Sequence, residues 1–303
     1  MSITHQNTDP SATDNQGTSL RKILQRLNDS LPPATSHESL VTDGQLAQNV
    51  RVLNNAILDF SRGLHEDQSS VHKYGKNATT PNGSFADIYS YGATVPAYPW
   101  PLTAQTIRIR AGGDAADDAA GLGAQSIRVF GLDENWLEIF EDIVTAGASA
   151  SVATTKLFRR VYRVRVTGVG AANVSNTGRI IVENTTSTDA IGVVEAGVGS
   201  TEQTHYTVPA GKTGYISRVD AQVRTGPNKD ADIRFRTRAN IGDTVSAPFG
   251  PAIVVDQWDG LADFASAEYS AFRAYPEKTD IWFEAQGNGD TTSVIISYDI
   301  FLL

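Results

Sequence analysis

Residues 209–213, Pro-Ala-Gly-Lys-Thr, contain Gly-Lys-Thr, the closing triplet of a phosphate-binding P-loop. A P-loop also needs a glycine five positions before the Gly-Lys pair, so that backbone N–H groups can wrap the phosphates, and a helix beginning behind it. Tyr206 stands at that position, and Tyr215, Val219, Ala221 and Val223 then alternate as in a strand. The stretch therefore reads as the turn of a β-hairpin, with Pro209 and Gly211 setting its dihedrals.

The other chemistry-bearing groups are weighed in the same way. Asp114, Asp117 and Asp118 lie in an oxygen-rich loop flanked by glycines. That suits calcium, but the alternating oxygens, central glycine and final glutamate of an EF-hand are missing. A solvated strand connection and a weak surface or interface calcium site are the two readings. Glu138, Glu141, Asp142, Asp256, Asp259 and Asp263 can supply two carboxylates at the roughly 5–9 Å that glycoside hydrolysis uses, yet no spacing marks one pair. His5, His37, His65, His72 and His205 show no metal-ligand spacing, and no serine sits in a nucleophile elbow. Tyr89, Tyr91, Tyr98 and Trp100, among prolines, form either a sugar-stacking face or a group that caps a core or fills an interface. Arg159, Arg160, Arg163 and Arg165 make a basic stripe expected to pair with acids of a neighbouring domain or subunit. No catalytic residue, cofactor or metal is expected, and the chain is read as a non-enzyme.

Composition narrows the partners. A formal charge of −9 over 303 residues argues against a nucleic-acid coat, which needs net basic surface. No apolar run approaches the roughly 20 residues of a membrane span, so no membrane partner is expected. The first residues lack the basic and apolar regions of a signal peptide. Cysteine is absent, which removes disulfides and thiolate chemistry together.

These groups must be positioned by elements of two kinds. Residues 1–42 read as a flexible arm carrying a short amphipathic helix, with Ser19 as N-cap, Leu20, Ile23, Leu24 and Leu27 on one face, and Pro32-Pro33 as stop. Residues 43–70 read as a second helix. Leu46, Val50, Leu53, Ile57, Phe60 and Leu64 are spaced as a short heptad seam. That seam serves either as an oligomerising stalk or as a face packed on the chain's own β region. From Val71 the pattern is β: alternating runs divided by Gly, Asp and Asn turns. Asp133, Glu134 and Asn135 form the tip of one hairpin. The expected fold is mainly β, two tandem antiparallel sandwich or jelly-roll-like domains over 71–187 and 188–303, with the C-terminal residues held inside a strand.

Five segments carry a resemblance: "VHKYGKNATTPNGSFADIYSYG", "GAQSIRVFGLDENWLEI", "FRRVYRVRV", "YTVPAGKTGYI" and "PEKTDIWFEA". In this order they resemble the capsid fibre, head-fibre or decoration proteins of tailed phages over residues 70–303. The resemblance implies a structural role on the virion surface after synthesis in the host cytoplasm, no catalytic residues, and a trimer in many members. Residues 20–27 would then anchor to the major capsid protein or another virion protein, and 46–64 would gather copies of this chain. A host surface glycan is a further candidate partner. The alternatives are a tail adaptor or receptor-binding tail-fibre component, and a carbohydrate-binding or carbohydrate-cleaving spike.

Overall fold

Every described residue that belongs to a regular element is in a strand; there is no helix among the described residues. The computed structural model describes residues 68–89, 97–171, 175–224, 230–240, 249–289 and 292–303. The two expected helices, with Leu20, Ile23, Leu24 and Leu27 on one and Leu46, Val50, Leu53, Ile57, Phe60 and Leu64 on the other, lie outside them, except that Ser69 and Ser70, expected at the end of the second helix, open a strand instead, drawn into pairing with Leu302 and Phe301.

The strands run β1 (Ser69–Asn77), β2 (Ala86–Asp87), β3 (Ile107–Ile109), β4 (Ala124–Leu132), β5 (Glu138–Val144), β6 (Arg160–Val169), β7 (Ile180–Asn184) and β8 (Ala190–Val194). They continue as β9 (Tyr206–Thr207), β10 (Gly214–Arg224), β11 (Ala231–Ala239), β12 (Ile253–Leu261), β13 (Phe264–Tyr275), β14 (Thr279–Gly287) and β15 (Ser293–Leu302). They form four sheets, ordered β1-β15-β10-β13, β12-β11-β14-β2 with β9 also on β14, β3-β7-β8, and β5-β4-β6. All the ladders are antiparallel. Four sheets of this size can be described as the blades of a propeller-like arrangement. Their hydrophobic side chains, however, divide into two cores.

The first core joins the two larger sheets. Alternate residues of β10 (Ile216, Val219, Ala221, Val223) and β15 (Val294, Ile296, Tyr298, Ile300) are buried with Ile233 and Phe235 of β11 and Ile281 and Phe283 of β14. Phe235 and Phe283, opposite each other in register, stack at 4.6 Å between ring centres. Each fully buried side chain of this size is worth about 1.5–3 kcal/mol of transfer free energy. The second core, with Ile107, Ile127, Val129, Val164 and Val182, joins the two smaller sheets. Gly131 of β4 lies so close to β6 that a Cβ there would stand 2.0 Å from the Arg160 carbonyl oxygen, so only glycine fits.

The tandem division expected from sequence is corrected here. The 187/188 boundary falls in the turn of the β7–β8 hairpin, since Ile180 pairs with Val194 and Glu183 with Ala190. The N-terminal strands belong with the C-terminal ones: β1 pairs with β15 along its length, Ser69 opposite Leu302 and Asn77 opposite Val294. Residues 98–201 are thus an insert in a main body built from β1, β2 and β9–β15. Departure and return are side by side, because β2 and β9 lie along successive stretches of β14. Tyr89 bridges Gln203, and the Thr204 N–H donates to the Ile88 carbonyl. The placement of residues 293–302 in a strand is as expected, with β15 inside its sheet between β1 and β10.

Candidate functional site

Six of the residues singled out for chemistry, Tyr89, Tyr98, Trp100, Arg159, Arg160 and His205, lie at the seam between insert and main body. Asp280 of β14 is fully buried and lies at its centre. Its Oδ1 accepts from Arg160 Nε at 3.2 Å and Thr207 Oγ1 at 2.7 Å; its Oδ2 accepts from Arg238 Nη2 at 2.8 Å. Burial alone would raise this carboxyl's pKa, but Arg160 and Arg238 with their hydrogen bonds outweigh it and hold the pKa below the usual carboxylate value. Arg160 begins β6 of the insert, so the ion pair crosses the seam. Its Nη1 also donates to the Pro101 carbonyl at 2.6 Å. The expectation that the arginine stripe meets acids of a neighbouring unit thus holds for Arg160. Arg159 packs its guanidinium over Trp136, 4.1 Å from the ring centre. Arg163 and Arg165, two residues apart on β6, face elsewhere.

The aromatic segment packs around this cluster. Tyr98 stacks on His205 at 4.6 Å, Trp100 lies edge-on to Tyr98 and Trp282, and Arg238 sits 4.8 Å from the Trp100 ring centre. Tyr89 and Tyr98 are buried and donate their hydroxyls to the carbonyls of Ala190 and Val161. These rings fill an interface between the two cores, the second of the two readings offered for them; Tyr91 lies outside the described residues. His205 Nε2 is 3.2 Å from Asp87 Oδ2, tying the strand that leaves the main body to the one that returns. Burial pushes the Tyr98 hydroxyl pKa up to about 12.

The β4–β5 hairpin supplies the second anchor. Asp133 Oδ1 accepts from the N–H groups of Asn135 and Leu137, closing the expected tip. Trp136 follows in the left-handed region, φ 65°, uncommon for a bulky side chain. Its ring is buried in the main-body core together with Leu132 and Tyr162, and its carbonyl accepts from the Ala210 N–H. Sequence reasoning found the hairpin but not that its tip plugs the neighbouring core.

Turns and carboxylates that could have done other chemistry are otherwise engaged. Gly211 takes φ 74° in a turn, as its sequence suggested, but β9 and β10 do not pair. The expected hairpin is therefore a crossing between sheets. Asp114 and Asp118 accept from nearby backbone N–H groups, while buried Asp117 accepts from Ala124, Thr177 and Gly178. These three carboxylates brace the loop, and no group of three or more His, Cys, Asp or Glu suited to a metal ion occurs among the described residues. Glu138 accepts from the Tyr162 hydroxyl, Glu141 from the N–H groups of Thr155 and Lys156, and Asp142 pairs with Arg128. Asp256 pairs with Arg273 and accepts from the Tyr269 hydroxyl, and Asp259 accepts from Gln257.

Part of the exposed surface is apolar. β12 and β13 are the outer strands of the two large sheets. They leave Ile253, Val254, Phe264 and Phe272 about half exposed. Long outer strands with open backbone groups and apolar side chains invite pairing with another surface. No family model and no curated protein matches this chain.

Proposed function

We propose that this chain is a non-enzymatic structural protein of a bacteriophage virion, carried on the capsid surface as a decoration, cement or head-fibre protein. In this reading the main body is a sandwich of two sheets. Setting aside the short β9 and counting the main-body strands in chain order, the sheets read 1-8-3-6 and 2-7-4-5. That is the order of an eight-stranded jelly roll, an architecture used by viral capsid domains and also by lectins. The insert is a smaller sandwich placed between the second and third strands. Fold alone does not assign a role. The observation that carries the reading is the seam: its charged and aromatic groups are buried in mutual contacts, Asp280 above all, and join two β units into one stiff body. A projecting mechanical element requires such a body. The exposed apolar strands β12 and β13 favour assembly with further copies.

The experiment has two readouts. Light scattering of the full chain is expected to give three times the 32.5 kDa chain mass, falling in Leu53→Glu/Ile57→Glu. Immunogold labelling of tailed-phage particles from the producing culture is expected to place label on heads. Label on tails alone moves the chain to an adaptor, and unlabelled particles refute the virion role.

A further inference from the structure

Beside the seam, a groove of about 620 Å³ opens between β1 and the insert, lined among others by Tyr74, Arg163, Arg165, Ser175, Ser200 and Glu202. Its size is within the range of roughly 300–1,000 Å³ typical of small-molecule sites, and such sites favour junctions between structural units. The geometry points to a binding site for an anionic saccharide, a carboxylated or sulfated sugar, a function additional to the structural role and independent of it.

The argument begins with charge. In a chain of net charge −9, two arginines two residues apart on one strand turn the same way into one groove. Arg163 donates through Nη2 to the His72 carbonyl, which fixes its guanidinium without neutralising it. The Arg165 side chain is exposed and makes no hydrogen bond or ion pair among the described residues. Arg160 and Arg238 are matched by the Asp280 carboxylate and Arg159 by the Trp136 ring, whereas the pair Arg163 and Arg165 meets neither and stands ready for an anion. A guanidinium presents parallel N–H donors that match a carboxylate or sulfate. Lys73, also in the lining, is buried and directs its amine to the Tyr162 carbonyl at 2.5 Å, and burial lowers its pKa, so the accessible cations of the groove are the arginines.

The remaining lining selects the kind of anion. Tyr74 is 38% exposed, an accessible ring that can stack on a sugar face. Ser175 and Ser200 offer hydroxyls of the type that pair with sugar hydroxyls. Glu202 places one negative charge in the groove, which disfavours a densely charged polyanion such as nucleic acid and tolerates a ligand whose acidic groups are spaced by neutral ones.

The test is calorimetric titration of the full chain at low salt with trigalacturonate, a sulfated heparin disaccharide, maltotriose, a single-stranded DNA oligonucleotide and oligoglutamate. The chain is expected to bind one or both acidic saccharides and to ignore maltotriose. Arg165→Glu is expected to weaken that binding about tenfold to a hundredfold. Arg165→Lys should retain part of it, and Lys212→Glu, with the same charge change outside the groove, should leave it intact. Because the Arg165 side chain makes no hydrogen bond or ion pair among the described residues, its variants are expected to unfold at the parent's midpoint. The proposal is overturned by absence of binding to both acidic saccharides, by equal binding of maltotriose, or by wild-type affinity in Arg165→Glu. Equal binding of DNA or oligoglutamate overturns it too, since that is general charge attraction.

Discussion

Asp280→Asn is the sharpest perturbation of the seam, because it keeps the side chain's shape and removes its charge. Asp280 is fully buried, and its partner Arg160 is 2% exposed, so neither solvent nor salt can replace the lost carboxylate. Arg160 and Arg238 would be left facing a neutral amide. Breaking one side of a buried pair in this way costs about 3–5 kcal/mol, against a total stability of about 5–15 kcal/mol for a domain. Equilibrium urea unfolding at pH 7, followed by the fluorescence of the four tryptophans, of which Trp100, Trp136 and Trp282 lie near the seam, reads the loss directly. The cause is separable from simple packing by adding Arg160→Met. The double variant should be more stable than the sum of the single losses predicts, because the second change removes a stranded charge. A loss below about 1 kcal/mol, the value of an exposed pair, or strict additivity would refute the reasoning. The pH dependence follows with a definite sign. Burial opposes ionisation of Asp280, but the two arginines win and its folded pKa lies below that of the unfolded chain. Its stabilisation is therefore present above about pH 3.9 and is lost as pH falls through the folded pKa; Asp280→Asn should flatten this acid limb.

Trp136→Ala empties a fully buried site at which the insert enters the main-body core, and should cost about 3–5 kcal/mol. Scanning calorimetry should then resolve two transitions where the parent shows one; a single transition with an unchanged midpoint would dismiss the hairpin tip as the coupling element. Alkali should destabilise the parent. Burial raises the hydroxyl pKa values of Tyr98, to about 12, and of Tyr206 and Tyr298, so these groups hold their protons in the fold after the unfolded chain has released them near pH 10. Stability is thus retained below about pH 10 and lost as pH rises through the folded values, and urea midpoints should fall more gently in Tyr98→Phe.

The β character of the chain was legible because each of β10, β11 and β15 packs one face on a core, which leaves a period-2 trace in sequence, while β14, buried on both faces over Thr279–Phe283, reads as a short apolar run. β13 was not read out: its alternating positions are largely Ala and Ser, and an outer strand with little to bury leaves a weak pattern. The interrupted order of the main body was not legible either. Ser69 meets Leu302, and no local signal marks a pairing partner so far along the chain. At the seam, the arginine stripe announced partners but not which ones. A signal did exist: Asp280 stands immediately before Ile281-Trp282-Phe283, a run otherwise apolar, where a carboxylate demands a cation. The arm and stalk residues are outside the described structure, so the sequence pattern remains the basis for their roles.

The pairing of β1 with β15 also sets an order of events during synthesis. The insert is one continuous stretch, and its sheets can form as soon as β8 has left the ribosome. The main body cannot, because β15 lies between β1 and β10 and is made after every other strand of that body. Until it arrives, β1 has no partner in its sheet and the loop to be closed spans nearly the whole described chain, which makes closure slow as well as late. A nascent or truncated chain therefore lacks a finished body to present. Residues 293–302 therefore decide whether the body closes, and a chain cut before them presents no finished surface for assembly.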